Sequence, residues 1–200
     1  MLLDHLAVSG ETVEEAASHI EDALGVTLQE GGKHDAFGTH NRLLGLADGL
    51  YLEAIAIDPT APNPERTRWF DLDRFEGPPR LTNWICQVPN IDAALDVFPD
   101  GVGHPIDLAR GALRWQMAVP PSGRLPFDNL FPALIQWHGD LHPARMLTQS
   151  GCRLRRLVVS HPEGLELAKL LGQMDGVVFD SGAAALRAEF ETPHGPRVLE

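Results

Sequence analysis

Three times along its length the chain runs through the same order of hydrophobic patterns, and repetition of that kind leaves few folds open. LLDHLAVSG, from Leu2, alternates as a strand does, with Leu3, His5 and Ala7 on one face. ETVEEAASHIEDALG then sets Val13, Ala16, Ala17, Ile20 and Leu24 at helical spacing, with acids in the first turn and Gly25 as a stop. VTLQE, THNRLLGLA and LYLEAIAID follow as three strands, the last two joined by Asp48-Gly49, a strong hairpin signal. The order β-α-β-β-β then recurs: LTNWICQVP as a strand, NIDAALDVF as a helix capped by Asn90, and HPIDLARG, ALRWQMAVP and LFPALIQWH as strands. A shorter copy closes the chain, with RLRRLVVSHP, EGLELAKLLGQM, GVVFDS and ALRAEFETP as strand, helix, strand and strand. Each unit has an apolar sheet face that it cannot bury alone, so the units must pack on one another.

The division that follows is a first βαβββ module over residues 1–58, a connector over 59–80, a second module over 81–145 and a partial third βαββ module over 146–200, packing on the same sheet. The connector is rich in proline, and PERTRWFDLDRF within it has the makings of a short helix beginning at a proline. The class is α+β.

Charge narrows the partners. The formal net charge is −12, so phosphate backbones and anionic membrane surfaces are repelled on average, and neither nucleic acid nor membrane is an expected partner. CRLRRL, the one basic run, reads as a strand with arginines on its solvent face. Cys86 and Cys152 each sit in an apolar segment, the pattern of buried free thiols in a reducing compartment. The start MLLDHLAVSG lacks the basic and long apolar stretches of a signal peptide, which points to the cytoplasm.

One acid stands out in LYLEAIAID. Tyr51, Glu53, Ile55 and Ile57 share one strand face and Leu50, Leu52, Ala54 and Ala56 the other, so both faces are apolar and the strand reads as central. A carboxylate buried there without a partner costs several kcal/mol or is forced to neutralise, so Glu53 calls for a cation, a donor or a metal. A plain structural ion pair is the alternative.

The order of elements, together with LDHLAV, NRLLGLADGLYLEAIAIDP and LRWQMAVPPSGRLPFDNLFPALIQW, resembles the vicinal oxygen chelate superfamily, and within it the glyoxalase-like domains. The likeness runs over roughly residues 2 to 145 in order, and the third copy extends it. It implies tandem βαβββ modules forming a curved mixed sheet around a cup. It also implies a divalent metal ion such as Zn, Ni, Mn or Fe in that cup, with ligands on the first and last strands of each module. In this sequence those positions give His5 and Glu53 in the first module, both suitable ligand types. Setting LIQW against YLEA brings Gln136 opposite Glu53, and setting LTNWICQV against LDHLAV brings Asn83, or by a one-residue slip Trp84, where a second histidine is often found.

The loop after LIQW carries His138 and His142, which near such a site would serve as proton-transfer groups with Glu53, or else as polar rim residues. His34 and His40, in the glycine-rich GGKHDAFGTHN, would line the rim, with His40 touching substrate, and Trp84 or Trp137 would form an apolar wall. Two functions follow from the resemblance: a glyoxalase-like enzyme of lyase, isomerase or dioxygenase type that uses its metal as a Lewis acid on vicinal oxygens of a small substrate, or a metal-free, resistance-type protein that sequesters a small ligand in the same cup. A scaffold acting through a homodimer interface is a third reading.

Overall fold

The structure is a computed structural model and describes all residues, Met1–Glu200. The first module is β1 (Leu2–Ser9), α1 (Val13–Leu24), β2 (Gln29–His34), β3 (Thr39–Gly45) and β4 (Tyr51–Ile57). The second is β5 (Arg80–Gln87), α2 (Ile91–Leu95), β6 (His104–Arg110), β7 (Leu113–Val119) and β8 (Ala133–His138), followed by the short α3 (Pro143–Met146). The third is β9 (Arg153–His161), α4 (Gly164–Leu171), β10 (Val177–Ser181), β11 (Ala185–Thr192) and β12 (Gly195–Leu199), a last strand beyond the elements legible in the sequence.

Local chemistry explains the boundaries. α1 opens with a capping box, in which the Thr12 hydroxyl accepts from the Glu15 N–H and the Glu15 carboxylate accepts from the Thr12 N–H. It stops at Gly25, whose φ of 72° a side chain would resist. Its stripe of Val13, Ala16, Ala17, Ile20 and Leu24 is buried against the sheet, and each large aliphatic residue buried this way contributes roughly 1.5–3 kcal/mol. β3 and β4 are joined by Asp48 and Gly49 at φ 63° and 78°, the two left-handed residues of a type I′ turn, whose twist suits a hairpin.

The first two modules share one eight-stranded sheet in the order β2-β3-β4-β1-β5-β8-β7-β6. β1 and β5 are antiparallel neighbours at its centre, and each is flanked by the parallel last strand of its own module. This arrangement brings the first and last strands of a module side by side, so residues far apart in sequence meet on one face. The sheet curls into a half-barrel, until Arg110 at the end of β6 hydrogen-bonds His34 and Asn41 on β2 and β3.

The third module does not extend that sheet. It forms its own, in the order β10-β9-β11-β12, against the back of the first. Trp84 pairs with Leu6 across β5 and β1, and its ring meets Phe179 of β10 at 6.1 Å. In the connector the helical turn is a 3-10 stretch over Trp69–Arg74, beginning later than Pro64, and it buries Trp69, Phe70 and Leu72. Trp69 stacks on Phe37 at 4.1 Å, so this segment closes one side of the cup. No helix is long and apolar enough to cross a membrane.

Candidate functional site

The cup is lined by His5, His34, Asn41, Tyr51, Glu53, Trp69, Phe70, Arg110, Trp115, Met117, Ile135 and Trp137, and it opens to solvent around an inner space of about 30 Å³. That is close to the space of one water molecule. Its first-module side is polar and its second-module side almost wholly apolar, and two hydrogen-bonded clusters, one around Asp4 and one around Asn41, meet there where His5 faces Glu53.

Asp4 anchors one end. Strict alternation would turn Asp4 away from His5, but the β1–β5 register shifts between Leu3 and His5, and this bulge brings the two side chains together. Asp4 is 2% exposed and accepts from three side chains: His5 Nδ1 at 2.6 Å, Trp137 Nε1 at 2.9 Å and His142 Nε2 at 3.0 Å. Burial works to raise its pKa, but the hydrogen bonds and charges of His142 and His5 outweigh it and hold Asp4 well below the usual carboxylate range. An ionised Asp4 only accepts, so the Nδ1 of His5 carries the proton and its Nε2 faces the cup.

His5 Nε2 lies 3.7 Å from Glu53 Oε2, with both side chains buried. The other oxygen of Glu53 accepts from Asn41 Nδ2 at 2.5 Å. Asn41 is oriented in turn, because its Oδ1 accepts from the Gly32 N–H at 2.7 Å and from Arg110 Nη1 at 3.3 Å. Gly31 makes room for this: a Cβ there would stand 2.1 Å from Asn41 Oδ1. His34 accepts from Arg110 at Nε2 (3.1 Å), leaving Nδ1–H to donate to Thr39 Oγ1 (3.1 Å). Burial, then the Arg110 charge, push its pKa down to about 3, so His34 is neutral at physiological pH. Tyr51 stacks on His5 at 4.2 Å, and burial together with Asp4 and Glu53 pushes its pKa well up, so the phenol keeps its proton.

Of the residues proposed from sequence, His5, His34, Glu53, Trp137 and His142 meet here; four others do not. Gln136 is turned the other way: the β5–β8 register sends Ile135 into the cup, Trp137 follows it, and Gln136 Oε1 accepts from the Ile91 N–H at 2.7 Å on the helix side. The alignment of LIQW with YLEA was one residue out of phase with the pleat. His138 shares the outward face of Gln136 and is exposed. His40 pairs with Ala56, on the face opposite Asn41, and Trp84 points to the third module. Asn83, opposite Ala7, takes the cup face and is wholly buried. Asp4, Asn41, Arg110 and Tyr51 joined the site unannounced.

A divalent ion does not fit this donor set. His5 Nε2 and Glu53 Oε2 face each other, but His34 Nε2 is engaged by a guanidinium, and the cup-facing residues of β7 and β8 are Trp115, Met117, Ile135 and Trp137. No group of three or more His, Cys, Asp or Glu side chains is placed to hold a metal.

Comparison with known proteins agrees with this architecture. The family model described as "Glyoxalase-like domain" matches residues 3–174. The chain belongs to this glyoxalase-like family, within the vicinal oxygen chelate superfamily. Among solved structures, a hypothetical protein from Staphylococcus aureus matches with TM-score 0.62 at 13% identity, covering 91% of this chain and 86% of that one. Residues 1–145 could not supply that coverage, so the match reaches into the third module of the glyoxalase-like chain. Methylmalonyl-CoA epimerase from Mycobacterium tuberculosis matches with TM-score 0.42 at 17% identity, covering 70% of this chain and 88% of that one. No curated protein matches the sequence.

Proposed function

We propose that this glyoxalase-like protein is an enzyme that moves a proton on a small substrate without a metal, using His5 and Glu53 as its acid–base pair. The observation that carries this reading is the buried Asp4–His5–Glu53 line, with 2.6 Å between Asp4 and His5 and 3.7 Å between His5 and Glu53. Asp4 fixes the tautomer of His5 and Asn41 orients the carboxylate of Glu53, so His5 Nε2 and Glu53 Oε2 both stand at the cup wall, where one can accept a proton and the other return it. The pair takes a proton from carbon beside a substrate carbonyl; the electron pair moves to the carbonyl oxygen, and the proton then returns to a carbon. The protonated phenol of Tyr51, in the same cup, is the donor placed to meet the developing oxyanion. The reaction class is isomerase or lyase.

The apolar second-module face supports one other reading, a binding protein that only sequesters its ligand. Deuterium uptake from solvent into small enolisable 2-oxo acids and ketones, followed by NMR, separates the two. The enzyme reading expects uptake by the wild type and a loss of about 10²-fold or more in Glu53→Gln. Ligand binding without any exchange above the solvent background would leave the binding reading.

A further inference from the structure

Arg110 is out of place in an apolar half-cup. It rises from β6 on the second-module side, and its partners are His34 and Asn41, neither of which carries a negative charge. His34 stays neutral beside it. The guanidinium has five N–H donors in a planar fork, and both contacts use Nη1, so they leave part of its donor set for something else. Trp69 walls the same cup, and its indole N–H is buried without a hydrogen-bond partner. A buried orphan donor of this kind costs free energy until an acceptor arrives. Both groups flank His34: Arg110 by its hydrogen bond, and Trp69 by an edge contact with 5.0 Å between ring centroids. The inner space, about 30 Å³, admits one small polar group, and beyond it the cup is open to solvent. Around it the walls are rings: Tyr51, Phe70, Trp115 and Trp137.

We propose that the recess between Arg110 and Trp69 seats the carboxylate of a small acid whose apolar or aromatic body lies against these rings. The inference rests on the reading of the cup as a substrate site and narrows the substrate to an organic acid. A planar carboxylate takes two parallel bonds from a guanidinium, and the indole N–H supplies a third donor. The reacting carbon then lies toward His5 and Glu53, whose carboxylate Asn41 links to the guanidinium that holds the acid. A neutral substrate of the same shape would leave the Arg110 charge and the Trp69 donor unanswered.

The test is calorimetric titration with phenylacetate and with phenylacetamide, its neutral isostere, on wild type, Trp69→Phe and Arg110→Gln. The wild type is expected to bind the acid at least about tenfold more tightly than the amide. Trp69→Phe keeps the ring and loses only the donor, and should shrink that preference several-fold; Arg110→Gln should abolish it. Equal affinity of the wild type for acid and amide, or no binding of either up to millimolar concentration, overturns the proposal, and that comparison needs no variant to fold. Deuterium exchange into phenylpyruvate keeps the two claims apart. Acid binding without exchange supports the carboxylate seat and removes the proton-transfer reading. Exchange that is as fast for a neutral ketone such as phenylacetone as for phenylpyruvate keeps the chemistry and removes the seat.

Discussion

Replacing Asp4 by Asn removes one charge and changes no shape, and it tests the polar chain where the most bonds converge. The carboxylate accepts from His5, Trp137 and His142 at 2.6, 2.9 and 3.0 Å. An amide has one oxygen. If the oxygen stays with Trp137 and His142, the amide N–H₂ faces His5 Nδ1, which must give up its proton and carry it on Nε2 instead. The fold then survives, but Nε2 becomes a fixed donor to Glu53. Breaking a buried charged contact of this kind costs about 3 kcal/mol, which for a chain of this size lowers Tm by about 6–12 °C. Locking the wrong tautomer should slow solvent exchange by about 10²–10⁴-fold. Because folding depresses the Asp4 pKa below its ordinary 3.8, its stabilisation is complete above about pH 4 and fades as pH falls further. The gap between wild type and variant in urea denaturation should therefore be constant from about pH 5 to 8 and close below about pH 4. A variant within about 0.5 kcal/mol of wild type at pH 7, exchanging at the wild-type rate, would refute the account of Asp4.

Three further outcomes follow from the same geometry. His34 has its pKa lowered from 6.5 to about 3, so the unfolded chain takes up a proton that the folded one refuses; this costs about 2 kcal/mol between pH 7 and pH 5, and His34→Gln, compared by urea denaturation at the two pH values, should lose that much less than wild type. Gln136→Leu orphans the Ile91 N–H and should cost about 1–2 kcal/mol in stability while leaving exchange untouched, since Gln136 faces the helix side; a loss of bound metal in this variant would contradict its placement. Gly31→Ala sets a methyl 2.1 Å from Asn41 Oδ1 and 2.4 Å from its carbonyl oxygen, so melting should show a destabilisation of about 1–3 kcal/mol, together with a fall in exchange as Asn41 releases Glu53.

The module order was legible because it rests on local signals. The alternation of β1, the period of α1, the Asp48-Gly49 turn and the Asn90 cap each sit within one element. Glu53 was legible for a related reason, as an acid with apolar neighbours on both strand faces. What failed was phase. Gln136 is assigned to the cup or to the helix side by a one-residue shift, and only the pairing of Gln87 with Ile135 decides it. Asp4 was hidden by the converse effect, because a bulge overrides the alternation that would have turned it from His5. Arg110 ends a strand at the sheet edge, where a sequence reading expects a solvated charge; closure of the half-barrel against β2, a long-range event, carries it inward. His34 was legible as a residue of the cup rim, but its burial and its bond to Arg110 follow from the same closure.

The central claim is that His5 and Glu53 move a proton and that no metal takes part. It is tested most directly by deuterium incorporation into phenylpyruvate in D₂O, on wild type dialysed exhaustively against chelator and on Glu53→Gln. The account predicts exchange above the solvent rate that survives chelation unchanged and falls by about 10²-fold or more in the variant. Exchange that disappears on chelation and returns with one equivalent of a divalent metal would contradict it.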